Sequence, residues 1–255
     1  MPPHPVQLHC FAHAGAGVSS FQGWPAHLPA GVETVSHLLP GRDARRHEPR
    51  VTDGAALLAD LAARFAVPPA APYVLYGHSL GALVAHALVR ALHRSGRPGP
   101  ALLAVGACPP PDAPSDLSDA CDEPDERLLP RLRAVGAVPE RAAPGGLWHR
   151  AVLPVLRDDL RLARALRAEA CRPSVEEQPG VPVLAVAGED DPLAGAASVA
   201  GWRRWTRGPV ALRTLPGDHW FAHRPELPRL LGRACTDPAL AGAQVPSPAG
   251  PRRGR

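Results

Sequence analysis

The sequence predicts an α/β protein with a mostly parallel sheet covered by helices on both faces, and three observations predict it. Six short apolar runs have the length of strands: Val6 to Ala12, Val32 to Leu39, Pro72 to Tyr76, Ala101 to Ala107, Val181 to Ala187 and Pro209 to Leu215. Stretches with apolar residues at helical spacing separate most of them, the pattern of parallel strands joined by crossover helices. With 255 residues, 45% of them hydrophobic and 20% charged, the chain can bury one large core.

Taken in order, the first run ends at His13-Ala14-Gly15-Ala16-Gly17, where small residues let backbone approach a ligand. The second stops at Pro40-Gly41, a turn pair. Thr52 to Phe65 sets Leu57, Leu58, Leu61 and Phe65 at helical spacing, and the third run follows. Leu80 to His93 places Leu83, Val84, Ala87, Leu88, Ala91 and Leu92 on one apolar face, so a helix begins directly after Gly77-His78-Ser79. Between residues 109 and 179 the alternation breaks. Pro109-Pro110-Pro111 opens an acidic stretch, and helical pieces follow at Glu126 to Val135 and Trp148 to Ala168, the pattern of an inserted helical lid. The rhythm resumes with helices over Ala196 to Trp205 and Pro225 to Cys235. Residues 1–235 therefore read as one domain, and the Pro-, Gly-, Ala- and Arg-rich tail 236–255 as disordered.

Composition excludes several functions. The chain has no Lys, Ile or Asn, residues with AT-rich codons, so all 28 basic residues are Arg and the net charge of +4 reflects coding bias more than a ligand. Arg252, Arg253 and Arg255 of the tail carry much of that charge, and no basic face with interleaved aromatics marks a nucleic-acid partner. No apolar run approaches the 18 residues of a membrane span. The five scattered cysteines form no CxxC pair, which fits reduced cytosolic thiols, and the first nine residues lack a secretory signal. A cytoplasmic, monomeric protein is expected.

Chemistry concentrates at Gly77-His78-Ser79-Leu80-Gly81, which matches G-x-S-x-G between a predicted strand and a predicted helix. In that pattern the glycines relieve crowding at a sharp turn that exposes the serine hydroxyl. A serine nucleophile on such a sheet needs a carboxylate and a histidine at the ends of later strands, in the order Ser, Asp, His. Gly188-Glu189-Asp190-Asp191-Pro192 follows the fifth run and Gly217-Asp218-His219-Trp220-Phe221 the sixth. His219 is thus expected to take the Ser79 proton and Asp191 to hold the imidazole, with Asp190 and Glu189 less favoured and His223 a rival base. The oxyanion hole calls for the Leu80 amide and a second amide from the His13-Ala14-Gly15 loop, Ala14 being preferred and Gly15 its alternative. His13 and His78 flank this site as bracing residues.

These segments together resemble the type II thioesterases that accompany nonribosomal peptide and polyketide synthases, a branch of the α/β-hydrolases. The resemblance spans residues 6 to 235. It is carried by Phe11-Ala12-His13-Ala14-Gly15, Leu39-Pro40-Gly41-Arg42 with Glu48-Pro49, the serine elbow, Pro154-Val155-Leu156-Arg157-Asp158-Asp159, Gly188 to Pro192, Gly201-Trp202-Arg203-Arg204-Trp205-Thr206 and Gly217 to Phe221. The Pro-Gly-Arg and Trp-Arg-Arg segments are more specific to the family than the elbow, and the preference for Asp191 rests partly on it. Two departures stand out: Ala16 falls where the family usually has a second glycine, and Leu160 where an aromatic residue commonly follows the Arg-x-Asp.

The resemblance implies an α/β-hydrolase fold and an enzyme that clears acyl or aminoacyl groups from the phosphopantetheine thiol of carrier domains. Such an enzyme uses Ser79, His219 and Asp191 through an acyl-enzyme and needs no metal or cofactor. Its partners would be acyl or peptidyl carrier domains. A first strand that begins by Val6 favours a freestanding hydrolase over a domain fused behind a carrier. The rival readings are a medium-chain fatty acyl thioesterase, a cyclising thioesterase and a non-catalytic protein that binds carrier domains.

Overall fold

A computed structural model describes residues 5–65, 72–173 and 178–237. Each of the six apolar runs forms a strand: β1 (Val6–Phe11), β2 (Val32–His37), β3 (Tyr73–His78), β4 (Leu102–Gly106), β5 (Val183–Gly188) and β6 (Val210–Leu215). They lie in the order β2-β1-β3-β4-β5-β6, and every neighbouring pair is parallel. β3 runs two residues further than its apolar run suggests, with Gly77 opposite Val105 and His78 opposite Gly106, because the turn is confined to Ser79.

Side chains alternate between two covered faces, which is why the central strands read as unbroken apolar runs. In β3, Tyr73 and Leu75 face one core with Leu57 and Leu61 of α1 (Gly54–Arg64) and Leu83, Leu88 and Leu92 of α2 (Leu80–Arg94). Val74 and Tyr76 face the other, with Phe21, Trp24 and the C-terminal helix. The Asp53 carboxylate caps α1 by accepting the Ala56 amide proton at 2.9 Å.

Between β4 and β5 lie α3 (Asp116–Asp119), α4 (Asp125–Ala134), α5 (Leu147–Ala151) and α6 (Leu153–Ala170). The single helix expected over Trp148 to Ala168 is two, broken at Val152, because Pro154 has no N–H to continue the preceding turn and starts a new helix instead. α6 serves two cores. Leu153, Leu156 and Leu160 pack with Cys121, Leu128 and Leu132 in a separate small cluster, whereas Leu162, Ala163 and Leu166 join the main core beneath α2. Only α3 to α5 and the first half of α6 thus stand apart from the sheet. The segment Ala196 to Trp205 is also divided, into α7 (Ala196–Val199) and a tighter 3-10 stretch (Ala200–Trp205); α8 (Glu226–Cys235) closes the fold. Nearly all of the tail expected to be disordered, residues 238–255, lies outside the described residues.

The chain leaves β1 for β2 on one side and returns to β3 on the other. The crevice at the carboxyl ends of β1 and β3 is therefore the natural ligand position of such a sheet.

Candidate active site

Ser79 occupies the one-residue turn between β3 and α2, with φ 53° and ψ −116°, a conformation rare for a side-chain-bearing residue. Two flanking glycines make it possible. A Cβ on Gly77 would lie 2.0 Å from the Gly81 carbonyl oxygen, and one on Gly81 would lie 2.0 Å from the Phe11 carbonyl oxygen. The Ser79 amide is tied to the Gly106 carbonyl at 2.8 Å, so the turn is anchored to β4.

The strand ends bring Ser79, His219 and Asp191 together. His219 Nε2 lies 3.2 Å from Ser79 Oγ, and its Nδ1 lies 3.1 and 3.0 Å from Asp191 Oδ1 and Oδ2. Asp191 Oδ1 also accepts the amide protons of Leu193 at 2.8 Å and Ala194 at 3.1 Å. Burial alone would raise the Asp191 pKa; the His219 ring and these two amides reverse that and hold it below the usual carboxylate value. Asp190 and Glu189 of the same acidic turn point into solvent. His223 is exposed and makes no hydrogen bond to Ser79 among the described residues.

A second histidine fixes the first. His78 is fully buried, and its Nε2–H donates to the His219 carbonyl at 2.8 Å while its Nδ1 accepts from the Tyr76 hydroxyl at 2.7 Å. A carbonyl only accepts, so this pairing sets the His78 tautomer. Burial holds its pKa well below the ordinary value, so the ring is neutral. His13 packs edge-on against Trp220 with ring centroids 4.9 Å apart, and burial, with His223 and His219 nearby, lowers its pKa to about 3.

Of the two amides weighed for the oxyanion loop, Gly15 is committed elsewhere: it donates to Asp159 Oδ2 at 2.7 Å. The Ala14 and Leu80 amides have no hydrogen-bond partner among the described residues. Leu80 sits at the N-terminus of α2, whose dipole favours negative charge there.

Two cavities meet at Ser79. One of about 340 Å³ is walled mainly by Leu132, Val135, Trp148, Val152 and Leu156. The other, of about 260 Å³, runs past Leu80, Cys108, Ser115, Asp116 and Arg167. Leu117, Leu160 and Leu193 border both. Leu160 is thus shared by the two cavities. Among the described residues no group of three or more His, Cys, Asp or Glu side chains is disposed to hold a metal ion, and no helix is long and apolar enough to cross a membrane.

The model of the thioesterase domain family matches residues 6–234. The chain belongs to the thioesterase family. Thioesterase PikA5 of Streptomyces venezuelae is 35% identical over 227 residues, covering 86% of this chain and 76% of its own. RedJ, a thioesterase from the prodiginine biosynthetic pathway in Streptomyces coelicolor, superposes with a TM-score of 0.77 at 31% identity, over 90% of both chains. YbtT, a type II thioesterase from the yersiniabactin NRPS/PKS pathway, gives a TM-score of 0.77 at 26% identity over 92% of both. This thioesterase is therefore an α/β-hydrolase acting on thioester bonds.

Several segments that carry the resemblance act as braces. Arg42 of Pro-Gly-Arg and Asp159 of the cap segment form a buried ion pair at 2.5 Å. Trp202 is fully buried with its Nε1–H on the Cys108 carbonyl at 2.8 Å, and Trp205 donates to Asp112 at 3.0 Å; both hold the start of the inserted segment. Trp220, beside His219, donates to the Val135 carbonyl at 3.0 Å and so ties the histidine loop to the end of α4. Neither Arg42 nor Asp159 has a role legible in the sequence alone. They lie 117 residues apart, and no local periodicity links them.

Proposed function

We propose that this thioesterase is a type II editing enzyme that hydrolyses acyl and aminoacyl thioesters from the phosphopantetheine arm of carrier domains of polyketide or nonribosomal peptide synthases. One observation carries the reading: the hydrogen-bonded chain from Ser79 Oγ through His219 to Asp191, set between two cavities. A thioester has two arms on one carbonyl, and a nucleophile between two chambers suits such a substrate. The largely apolar chamber takes the acyl group, and the chamber with Ser115, Asp116 and Arg167 takes the amide-bearing pantetheine.

Ser79 Oγ attacks the thioester carbonyl as its proton passes to His219 Nε2. The Ala14 and Leu80 amides receive the oxyanion. Collapse of the tetrahedral intermediate breaks the C–S bond, and the imidazolium returns its proton to the pantetheine thiolate. Water then attacks the acyl-enzyme with His219 as base, releasing the acid and restoring Ser79 Oγ–H. Each step uses side chains and water, so the mechanism calls for no resident cofactor. The lid proposed here is α3 to α5, since the second half of α6 is built into the main core.

The match to YbtT, a type II thioesterase from an NRPS/PKS pathway, supports the pathway class. The test is intact-mass analysis of an acetyl- or aminoacyl-loaded carrier protein incubated with wild type and with Ser79→Ala. Loss of the acyl mass with wild type only is expected. A carrier that stays loaded while a soluble acyl thioester is cleaved would remove the carrier assignment and leave the hydrolase.

A further inference from the structure

We infer that Arg42 and Asp159 are positioning residues for the reaction: together they set the backbone that presents the Ala14 amide to the oxyanion, as a pair without net charge. The inference rests on the proposed roles of Ser79 and Ala14 and adds what holds the second of them in place.

Asp159, on α6, is 1% exposed and makes three hydrogen bonds. Its Oδ2 accepts from the Gly15 amide at 2.7 Å and from Arg42 Nη1 at 2.8 Å, and its Oδ1 accepts from Arg42 Nη2 at 2.5 Å. Arg42 Nη1 also donates to the Ala16 carbonyl at 3.0 Å. The ion pair therefore grips the loop at two adjacent residues of its turn, by the N–H of Gly15 and the C=O of Ala16. Gly15 has φ +78°, the left-handed conformation that lets the chain present its amide to Asp159 at this turn. The peptide immediately before carries Ala14, which lines both cavities beside Ser79.

The charge arithmetic explains why both partners are needed. A carboxylate is the strongest neutral-pH acceptor for the Gly15 amide, yet a lone buried carboxylate next to this loop would oppose the negative charge that develops on the substrate oxygen. The bidentate guanidinium cancels that charge while adding the bond to Ala16. Asp159 without Arg42 leaves a buried anion near the oxyanion; Arg42 without Asp159 releases the Gly15 amide. Buried ion pairs are weak contributors to stability in general, so a positional role accounts for this one better than a stabilising role does.

The experiment measures kcat and KM on an acyl-pantetheine thioester, with active sites counted by endpoint fluorophosphonate titration and Ser79→Ala as control. Inhibition by an alkylboronic acid, which forms a tetrahedral serine adduct, reports the oxyanion hole separately. An asparagine at 159 keeps one oxygen for the Gly15 amide but sets its NH₂ against Arg42 Nη2, donor against donor, so the fork that holds the loop is lost. For Asp159→Asn the expected result is a kcat per titrated site lowered about 10- to 100-fold, the scale of a misplaced catalytic group, with KM within about threefold and boronate affinity lowered in parallel. Arg42→Gln falls further, and the double variant Arg42→Gln/Asp159→Asn recovers part of that loss because the stranded charge is gone. Arg42→Lys, which keeps the charge and loses the fork, is intermediate and serves if Asp159→Asn does not fold. The inference is overturned if kcat per titrated site is unchanged, if boronate affinity does not follow kcat, or if the double variant is no better than Arg42→Gln. A wild type no more active than Ser79→Ala would instead remove the site reading on which the inference rests.

Discussion

Asp191→Asn tests the hydrogen-bond logic of the site more sharply than removal of any side chain, because it exchanges one oxygen for an NH₂ at nearly constant volume. In the wild type, Asp191 Oδ1 accepts the Leu193 and Ala194 amide protons, at 2.8 and 3.1 Å, and His219 Nδ1 lies 3.1 Å from that oxygen and 3.0 Å from Oδ2, which has no other donor among the described residues. Both backbone groups are donors, so an asparagine must turn its carbonyl oxygen toward them. Its NH₂ then points at His219 Nδ1, which has to accept rather than donate. The single ring proton moves to Nε2, 3.2 Å from Ser79 Oγ, and the imidazole can no longer take the serine proton. A tautomer error of this kind lowers kcat by about 10⁴-fold in serine hydrolases, or about 5.4 kcal/mol at 1.36 kcal/mol per decade. The assay is steady-state hydrolysis of a soluble acyl thioester by wild type and variant, with thermal unfolding as the control for folding. A variant that keeps more than a tenth of wild-type kcat would refute this assignment of donors and acceptors.

Other consequences follow from the same geometry. Gly81→Ala sets a Cβ 2.0 Å from the Phe11 carbonyl oxygen, so it forces β1 and α2 apart; a drop in melting temperature of at least ten degrees is expected, equivalent to about 3 kcal/mol or more. His86 is fully buried between Trp202 and Trp205, its Nε2 has no partner among the described residues, and burial lowers its pKa to about 3. A histidine whose folded pKa is depressed binds fewer protons folded than unfolded, so stability falls as pH drops below the unfolded value near 6.5. At pH 5 this amounts to about 2 kcal/mol for His86, and His86→Leu should flatten the wild-type loss between pH 7 and 5 by that amount in urea melts. An unchanged slope would place the buried ring's proton elsewhere. Leu132→Trp narrows the larger chamber, in whose wall Leu132 is 1% exposed, and should lower kcat/KM for octanoyl far more than for acetyl thioesters. Equal effects on both would move the acyl group out of that chamber.

The parts of the molecule that could be read in the sequence are those fixed within a few residues of chain. The elbow is one: Gly77 and Gly81 sit within two residues of Ser79 and exist because any Cβ there would strike backbone. The strands are another, since burial on both faces leaves runs such as Tyr73 to Tyr76 with no polar position. Asp191 and His219 were within reach because each lies just past the end of a strand. Pro154, by contrast, stands in the sequence without marking the break, since the apolar spacing continues on both sides of Val152.

What the sequence concealed is pairing between distant polar groups. A chain with 28 arginines and 24 acidic residues offers several hundred possible ion pairs, and neither spacing nor periodicity selects Arg42 with Asp159 among them. The same holds for His78, a motif residue whose ring meets the carbonyl of a histidine 141 positions away. Their common feature is that each supports a loop beside Ser79 from behind, at a point set by the tertiary fold. The small-residue loop and the histidine loop carry little regular structure of their own, so the hydrogen bonds that fix them must come from elsewhere in the chain. That need explains why residues far apart in the sequence meet at these two loops: the elbow sets Ser79 by local stereochemistry, and the loops beside it need a complete fold to hold them still.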